Sequence, residues 1–158
     1  MQGTDGNLYG PTQTGGTSGN GTLFQITTTG TYKNLYSFAS SVGTQPSVAL
    51  MQHTNGLFYG TASGGADNDG VVYSLDMGLA PFVTFVRPGA KIGQGAQILG
   101  QGLNGTTNVT FNGVATTFKV VSDTYLTAIV PAGATTGPVV VTTPTQTLTS
   151  NKNFRIRQ

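Results

Sequence analysis

The sequence predicts an all-β chain in two parts, a tandem repeat followed by a small antiparallel sandwich. Three observations carry that expectation. Charged residues make up only 8% of the 158 positions and hydrophobic residues 37%, so Gly, Thr, Ser, Asn and Gln fill the difference. The 24 Gly and 7 Pro break helices, whereas Thr, Val, Tyr and Phe suit a pleated surface. Finally, the first half aligns with itself, and the second half divides into short strand-like runs at close intervals. The aliphatic and aromatic alternation in both halves, without blocks of charge, argues against disorder.

The repeat comes first in the chain. Met1-Gln2-Gly3-Thr4-Asp5-Gly6-Asn7-Leu8-Tyr9-Gly10 matches Met51-Gln52-His53-Thr54-Asn55-Gly56-Leu57-Phe58-Tyr59-Gly60, an offset of 50 residues. The match continues through Gly15-Gly16 onto Gly64-Gly65. It ends with Gly21-Thr22-Leu23-Phe24-Gln25-Ile26 on Gly70-Val71-Val72-Tyr73-Ser74-Leu75. A period of this length, with strand-type residues and glycine-rich turns, is that of propeller blades. Asp5-Gly6 and Asn55-Gly56 read as hairpin turns with positive φ at both positions. Leu8-Tyr9 and Phe58-Tyr59 start the next strands. Leu23–Ile26 and Val72–Leu75 follow the double-glycine loops, Tyr32–Phe38 forms a further strand, and Ser47–Gln52 returns to the start of the unit.

The order Asp-Gly-Asn-hydrophobic-Tyr-Gly, Gly-Gly, then Gly-Thr-hydrophobic-Phe-x-Ile resembles the roughly 50-residue bacterial tandem repeat called GloVer. About one and a half units cover residues 1–78. The resemblance implies a partial β-propeller and an extracellular or cell-surface location. Propellers close with roughly four to eight blades, and Met1 aligns with the internal Met51. The expectation is therefore that the chain begins inside a repeat, with further blades and a signal peptide upstream.

A second domain is expected over residues 79–158. Its strands are read at Phe82–Val86, Ala96–Gly100, Asn108–Phe111, Ala115–Val121, Tyr125–Val130, Val139–Thr143 and Asn153–Arg157. Pro88-Gly89, Gly100-Gln101-Gly102, Asn112-Gly113, Ser122-Asp123, Pro131-Ala132-Gly133 and Gly137-Pro138 punctuate them, the signature of an antiparallel sandwich. Leu126, Ala128 and Val130 alternate onto one face, and Asn112-Gly113 is a two-residue hairpin signal. This stretch closely resembles the IPT/TIG family. The resemblance rests on Val86-x-Pro88-Gly89, Gly95 to Gly102-Leu103, Val109-Thr110-Phe111-Asn112-Gly113, Val121-Ser122-Asp123, Val130-Pro131-Ala132-Gly133 and Phe154-x-Ile156. It implies an immunoglobulin-like β-sandwich with a non-catalytic role. The polar Thr147 region departs from the glycine-rich turn common in that family.

Residues able to carry chemistry are sparse. There is no cysteine, which excludes disulfides and thiolate chemistry. Paired carboxylates occur only at Asp67 and Asp69, in a loop whose first-repeat counterpart is Thr17-Ser18-Gly19-Asn20-Gly21. A turn explains them, and carboxylates one residue apart are also weak calcium candidates, without the later ligands of an EF-hand. His53, the sole histidine, aligns with Gly3 and reads as an exposed turn residue. No Gly-x-Ser-x-Gly elbow is present, and Gly93-Gln94-Gly95-Ala96 and Gly100-Gln101-Gly102 have no helix behind them to hold phosphate. Tyr9, Tyr59, Phe24 and Tyr73 recur at matched positions and read as blade core, a surface subset being suited to stacking on sugar rings. No catalytic or cofactor-binding residue is assigned, and no cofactor.

The net charge is +2. Of seven cations only Lys152, Arg155 and Arg157 lie close together, and strand alternation sends Lys152 to the opposite face. That excludes a phosphate-tracking patch and argues against nucleic acid as a partner. No apolar run approaches the roughly 18 residues of a membrane span. The expected function is a non-catalytic extracellular spacer or binding module contacting carbohydrate or surface protein. The alternative is the accessory C-terminal part of a secreted polysaccharide-active enzyme.

Overall fold

Turn chemistry sets where the strands begin. The structure, a computed structural model, describes residues 1–158 and contains sixteen strands and no helix. The chain divides into two units, Met1–Leu79 and Ala80–Gln158.

In the first unit, β1 (Leu8–Thr12), β2 (Thr22–Ile26) and β3 (Tyr32–Ser37) form an antiparallel sheet in the order β1-β2-β3. A second sheet follows from β4 (Met51–Gln52), β5 (Phe58–Ala62) and β6 (Val71–Leu75), again in sequential order. Gln2 bridges Leu8 as Gln52 pairs with Phe58, so the sequence offset is also an offset in strand pairing. No counterpart of β3 flanks β6, which pairs only with β5. The expected strand Ser47–Gln52 shortens to β4, because Ser47–Leu50 makes no ladder.

The turns before β1 and β5 differ from expectation in one respect. Gly6 and Gly56 have φ of 83° and 93°, whereas Asp5 and Asn55 are not left-handed. Each turn is a three-residue loop ending on a left-handed glycine bulge. In the first, Gly6 N donates to Gly3 O at 3.0 Å and Gly3 N to Asn7 O at 2.8 Å. The side chain of the acidic or amide residue explains the difference. Asp5 Oδ1 accepts from Asn7 N (3.2 Å) and Asn55 Oδ1 from Leu57 N (3.0 Å), Asx-type bonds that hold ordinary backbone geometry.

Strand alternation gives each sheet two faces. On the first sheet, Leu8, Gly10, Phe24, Ile26 and Tyr32 share the front by register, and Tyr9, Gln25, Leu23 and Tyr36 share the back. On the second, Phe58, Gly60, Ala62, Val71, Tyr73 and Leu75 share the front, and Met51, Tyr59, Val72 and Ser74 the back. The front of the second sheet packs on the back of the first. Tyr9, Leu23, Phe38, Leu50, Phe58 and Ala62 form one buried cluster with Val71, Tyr73 and Leu75 packed against it. Glycine is required at the matched positions Gly10 and Gly60, because Phe24 and Tyr73 lie across them. A Cβ on Gly10 would stand 2.8 Å from Phe24 Cζ, and one on Gly60 2.6 Å from Tyr73 Cζ.

The second unit is a two-sheet sandwich. One sheet runs β11 (Val114–Ala115), β10 (Asn108–Phe111), β14 (Val139–Thr142), β15 (Thr147–Thr149). The other runs β12 (Phe118–Ser122), β13 (Tyr125–Ile129), β9 (Gly95–Leu99), β7 (Thr84–Phe85). A parallel pair, β8 (Gly89–Lys91) and β16 (Arg155–Arg157), completes it. Val109, Phe111, Val139, Val141 and Leu148 from the first sheet and Ala96, Ile98, Leu126 and Ala128 from the second share one core. Asn112 and Gly113 both take positive φ, 45° and 88°, as the two-residue turn between β10 and β11 requires.

Three readings of the second half change. The expected strand Ala115–Val121 is two strands in different sheets. The crossing falls at Thr116-Thr117: Thr116 N donates to Val109 O in one sheet, while Thr117 O accepts from Ile129 N in the other. Two further strands carry no local signal in the sequence. Gly89–Lys91 depends on a partner far along the chain, and Thr147–Thr149 offers only Leu148 between exposed threonines. Lys152 lies on a bend before β16, so strand alternation does not govern where it points.

Candidate functional site

Asp67 and Asp69 are exposed on the loop between β5 and β6. The loop is closed by Gly70 N donating to Gly64 O at 2.8 Å and Asn68 N to Gly65 O at 3.3 Å, with Asn68 left-handed at φ 61°. No third carboxylate or histidine joins them. Two carboxylates supply at most four of the six to eight oxygens calcium takes. Asp69 also borders a shallow cleft of about 630 Å³ with Ser47, Ser63 and Asn68.

His53 is half-buried rather than exposed, because its turn folds back on the strand. Its Nδ1 accepts from Asn55 N at 3.3 Å and its ring meets Tyr59 edge-on at 5.8 Å. Structural contacts thus occupy the side chain.

The four matched aromatics divide by face, which sequence matching alone could not reveal. Tyr9 is buried, and its hydroxyl donates to Asp5 Oδ2 (2.8 Å) and accepts from Gln25 Nε2 (2.7 Å). Burial, and then the Asp5 carboxylate, push the Tyr9 phenol above its usual range. Tyr73 packs in the same cluster, with a buried hydroxyl that finds no hydrogen-bond partner, and its phenol is also raised by desolvation. Phe24 and Tyr59 lie half-buried on the two outward faces. Phe24 stacks with the exposed Tyr32 at 5.9 Å.

In the second unit, the glycine-bearing loop after β9 has its amides already engaged. Asp123 Oδ2 accepts from Gly102 N (3.2 Å) and Oδ1 from Asn104 N (3.3 Å), while Asp123 O accepts from Leu103 N (2.9 Å). A carboxylate filling the loop leaves no cradle for an anion. Phe154 stands at the centre of the sandwich, edge-on to Phe85 at 5.0 Å and to Phe111 at 5.1 Å, and so ties one strand of each sheet to the C-terminus.

Residues 84–156 match the family model of the IPT/TIG domain. The match runs from β7 into β16 and takes in both sheets. IPT/TIG domains are generally non-catalytic immunoglobulin-like modules for protein contacts. No curated protein matches the chain. The second unit also carries a cleft of about 400 Å³ lined by Arg87, Gln94, Gln97, Phe154 and Arg157. Both arginines are exposed, and no acidic side chain or histidine lines the cleft to act as acid or base.

Proposed function

We propose that the chain is a non-catalytic spacer and protein-contact module of an extracellular or cell-surface bacterial protein, with an IPT/TIG sandwich following propeller-like repeats. One observation carries the reading: the family match spans a two-sheet sandwich whose shared core runs from Ala96 to Phe154. The repeated Asp5-Gly6-Asn7-Leu8-Tyr9-Gly10 pattern supports the propeller-like assignment and, through its resemblance to extracellular repeats, the location. Fold alone does not assign a partner, so the chemistry of binding has to be measured.

The test is retention of the full chain on insoluble polysaccharides and on bacterial surface preparations with and without protease treatment. Saturable, protease-sensitive retention supports protein contact. Retention on a purified polysaccharide moves the reading to carbohydrate binding and to an accessory role beside a polysaccharide-active enzyme. Retention on neither leaves the spacer role alone.

A further inference from the structure

The two outward faces of the N-terminal unit are the two halves of an interface that the unit already makes once. Inside the unit, the front of the second sheet sits on the back of the first. The remaining front belongs to the first sheet, and the remaining back to the second. Sequence equivalence is close across both. Leu8, Gly10, Phe24 and Ile26 occupy the positions of Phe58, Gly60, Tyr73 and Leu75, while Tyr59 and Val72 occupy those of Tyr9 and Leu23.

Burial differs sharply at these equivalent positions. Phe58 is 0% exposed and Leu8 44%; Leu23 is 3% exposed and Val72 77%. The outward front also carries Tyr32, and the outward back Met51, both exposed. None of these side chains is charged, so no like-charge repulsion opposes bringing the faces together. The architecture that shapes the internal contact is present as well, since Phe24 lies across Gly10 as Tyr73 lies across Gly60. Contiguous exposed apolar faces of this kind mark association surfaces.

We propose that this chain associates head to tail with a second copy of itself. The outward front of the first sheet in one copy (Leu8, Phe24, Ile26, Tyr32) stacks on the outward back of the second sheet in the next (Met51, Tyr59, Val72). The repeat identifies the occupant: the only partner the unit shows for a front face is a back face of the same kind, and a second copy supplies one. Because the two surfaces differ, the contact is heterologous. It propagates to a ring or a chain of copies instead of stopping at a symmetric dimer.

The experiment is sedimentation velocity with light scattering on the full chain over a wide concentration range. The native chain is expected to rise in mean mass with concentration. Leu8→Lys, on the front, and Val72→Lys, on the back, each alter an exposed position and are expected to remain monomeric when alone. Mixed in equal amounts, they are expected to form a dimer that grows no further, since each retains one intact face. Circular dichroism of both variants checks that they stay folded. A native chain that remains monomeric throughout, a mixture that remains monomeric, or either variant associating as the native chain does would overturn the proposal.

Discussion

The rings of Tyr9 and Phe58 lie 4.4 Å apart, tilted by 34°, although the two residues belong to different phases of the repeat. Tyr9 corresponds to Tyr59, and Phe58 to Leu8. The two sheets of the first unit therefore meet through unlike faces, and residues matched in sequence carry unequal loads. Phe58→Ala is expected to cost about 3–5 kcal/mol, the range for truncating a buried aromatic. Leu8→Ala, at the equivalent but exposed position, should fall within about 0.5 kcal/mol. Urea unfolding followed by tyrosine fluorescence measures this, because five of the six tyrosines lie in the first unit. Equal losses at the two positions would contradict the packing described.

Tyr73 buries a hydroxyl without a partner, and its repeat counterpart is Phe24. Tyr73→Phe removes the desolvated oxygen while keeping the ring across Gly60. The variant is expected to be stabilised by about 1–2 kcal/mol, given the cost of an unmade buried hydrogen bond. A loss of stability would show that the hydroxyl has a favourable role.

Alkaline pH offers a related test. The phenols of Tyr9 and Tyr73 are both raised from 10.0 on folding, by burial first and, at Tyr9, also by the Asp5 carboxylate. A raised acid binds its proton more tightly in the folded state than in the unfolded chain. Below pH 10 both states hold the proton and the contribution is fully present. Above it the unfolded chain ionises first, so stability falls as pH rises through the folded values. The melting temperature of the first unit should drop above about pH 10, and less steeply in Tyr73→Phe. An unchanged slope in that variant would remove Tyr73 from the explanation.

Phe154 joins the two sheets of the sandwich through Phe85 and Phe111. Phe154→Ala should cost the second unit about 3–5 kcal/mol. Residues 80–158 expressed alone should unfold cooperatively, and the same substitution should abolish most of that transition. A fragment that shows no cooperative melt would mean that the sandwich depends on the first unit.

Asp123 accepts three amide bonds for the loop from Gly102 to Asn104, two on its carboxylate and one on its carbonyl. Asp123→Ala removes only the carboxylate and should cost about 1–2 kcal/mol. Amide exchange should accelerate at Gly102 and Asn104 while Leu103 stays protected. Uniform acceleration across the three would point to loss of the whole loop.

Much of this molecule was legible in the sequence because its signals are local. Alternation placed Leu126, Ala128 and Val130 in the core, where all three are buried. Asn112-Gly113 announced its turn, since few residues accept positive φ at both positions. The all-β class followed from the same short-range patterns, whereas the family likeness rested on an ordered set of motifs within residues 84–156. Signals that depend on a distant partner were not legible. Gly89–Lys91 is a strand only because Arg155–Arg157 lies beside it, and the break at Thr116-Thr117 exists only because the other sheet supplies Ile129. The same holds for function-bearing surfaces. Sequence matching paired Tyr9 with Tyr59 and Phe24 with Tyr73, but such equivalence says nothing about which sheet face meets a neighbour. Burial is a property of two surfaces together, so only the tertiary structure could assign Tyr9 and Tyr73 to the core and leave Phe24 and Tyr59 facing outward.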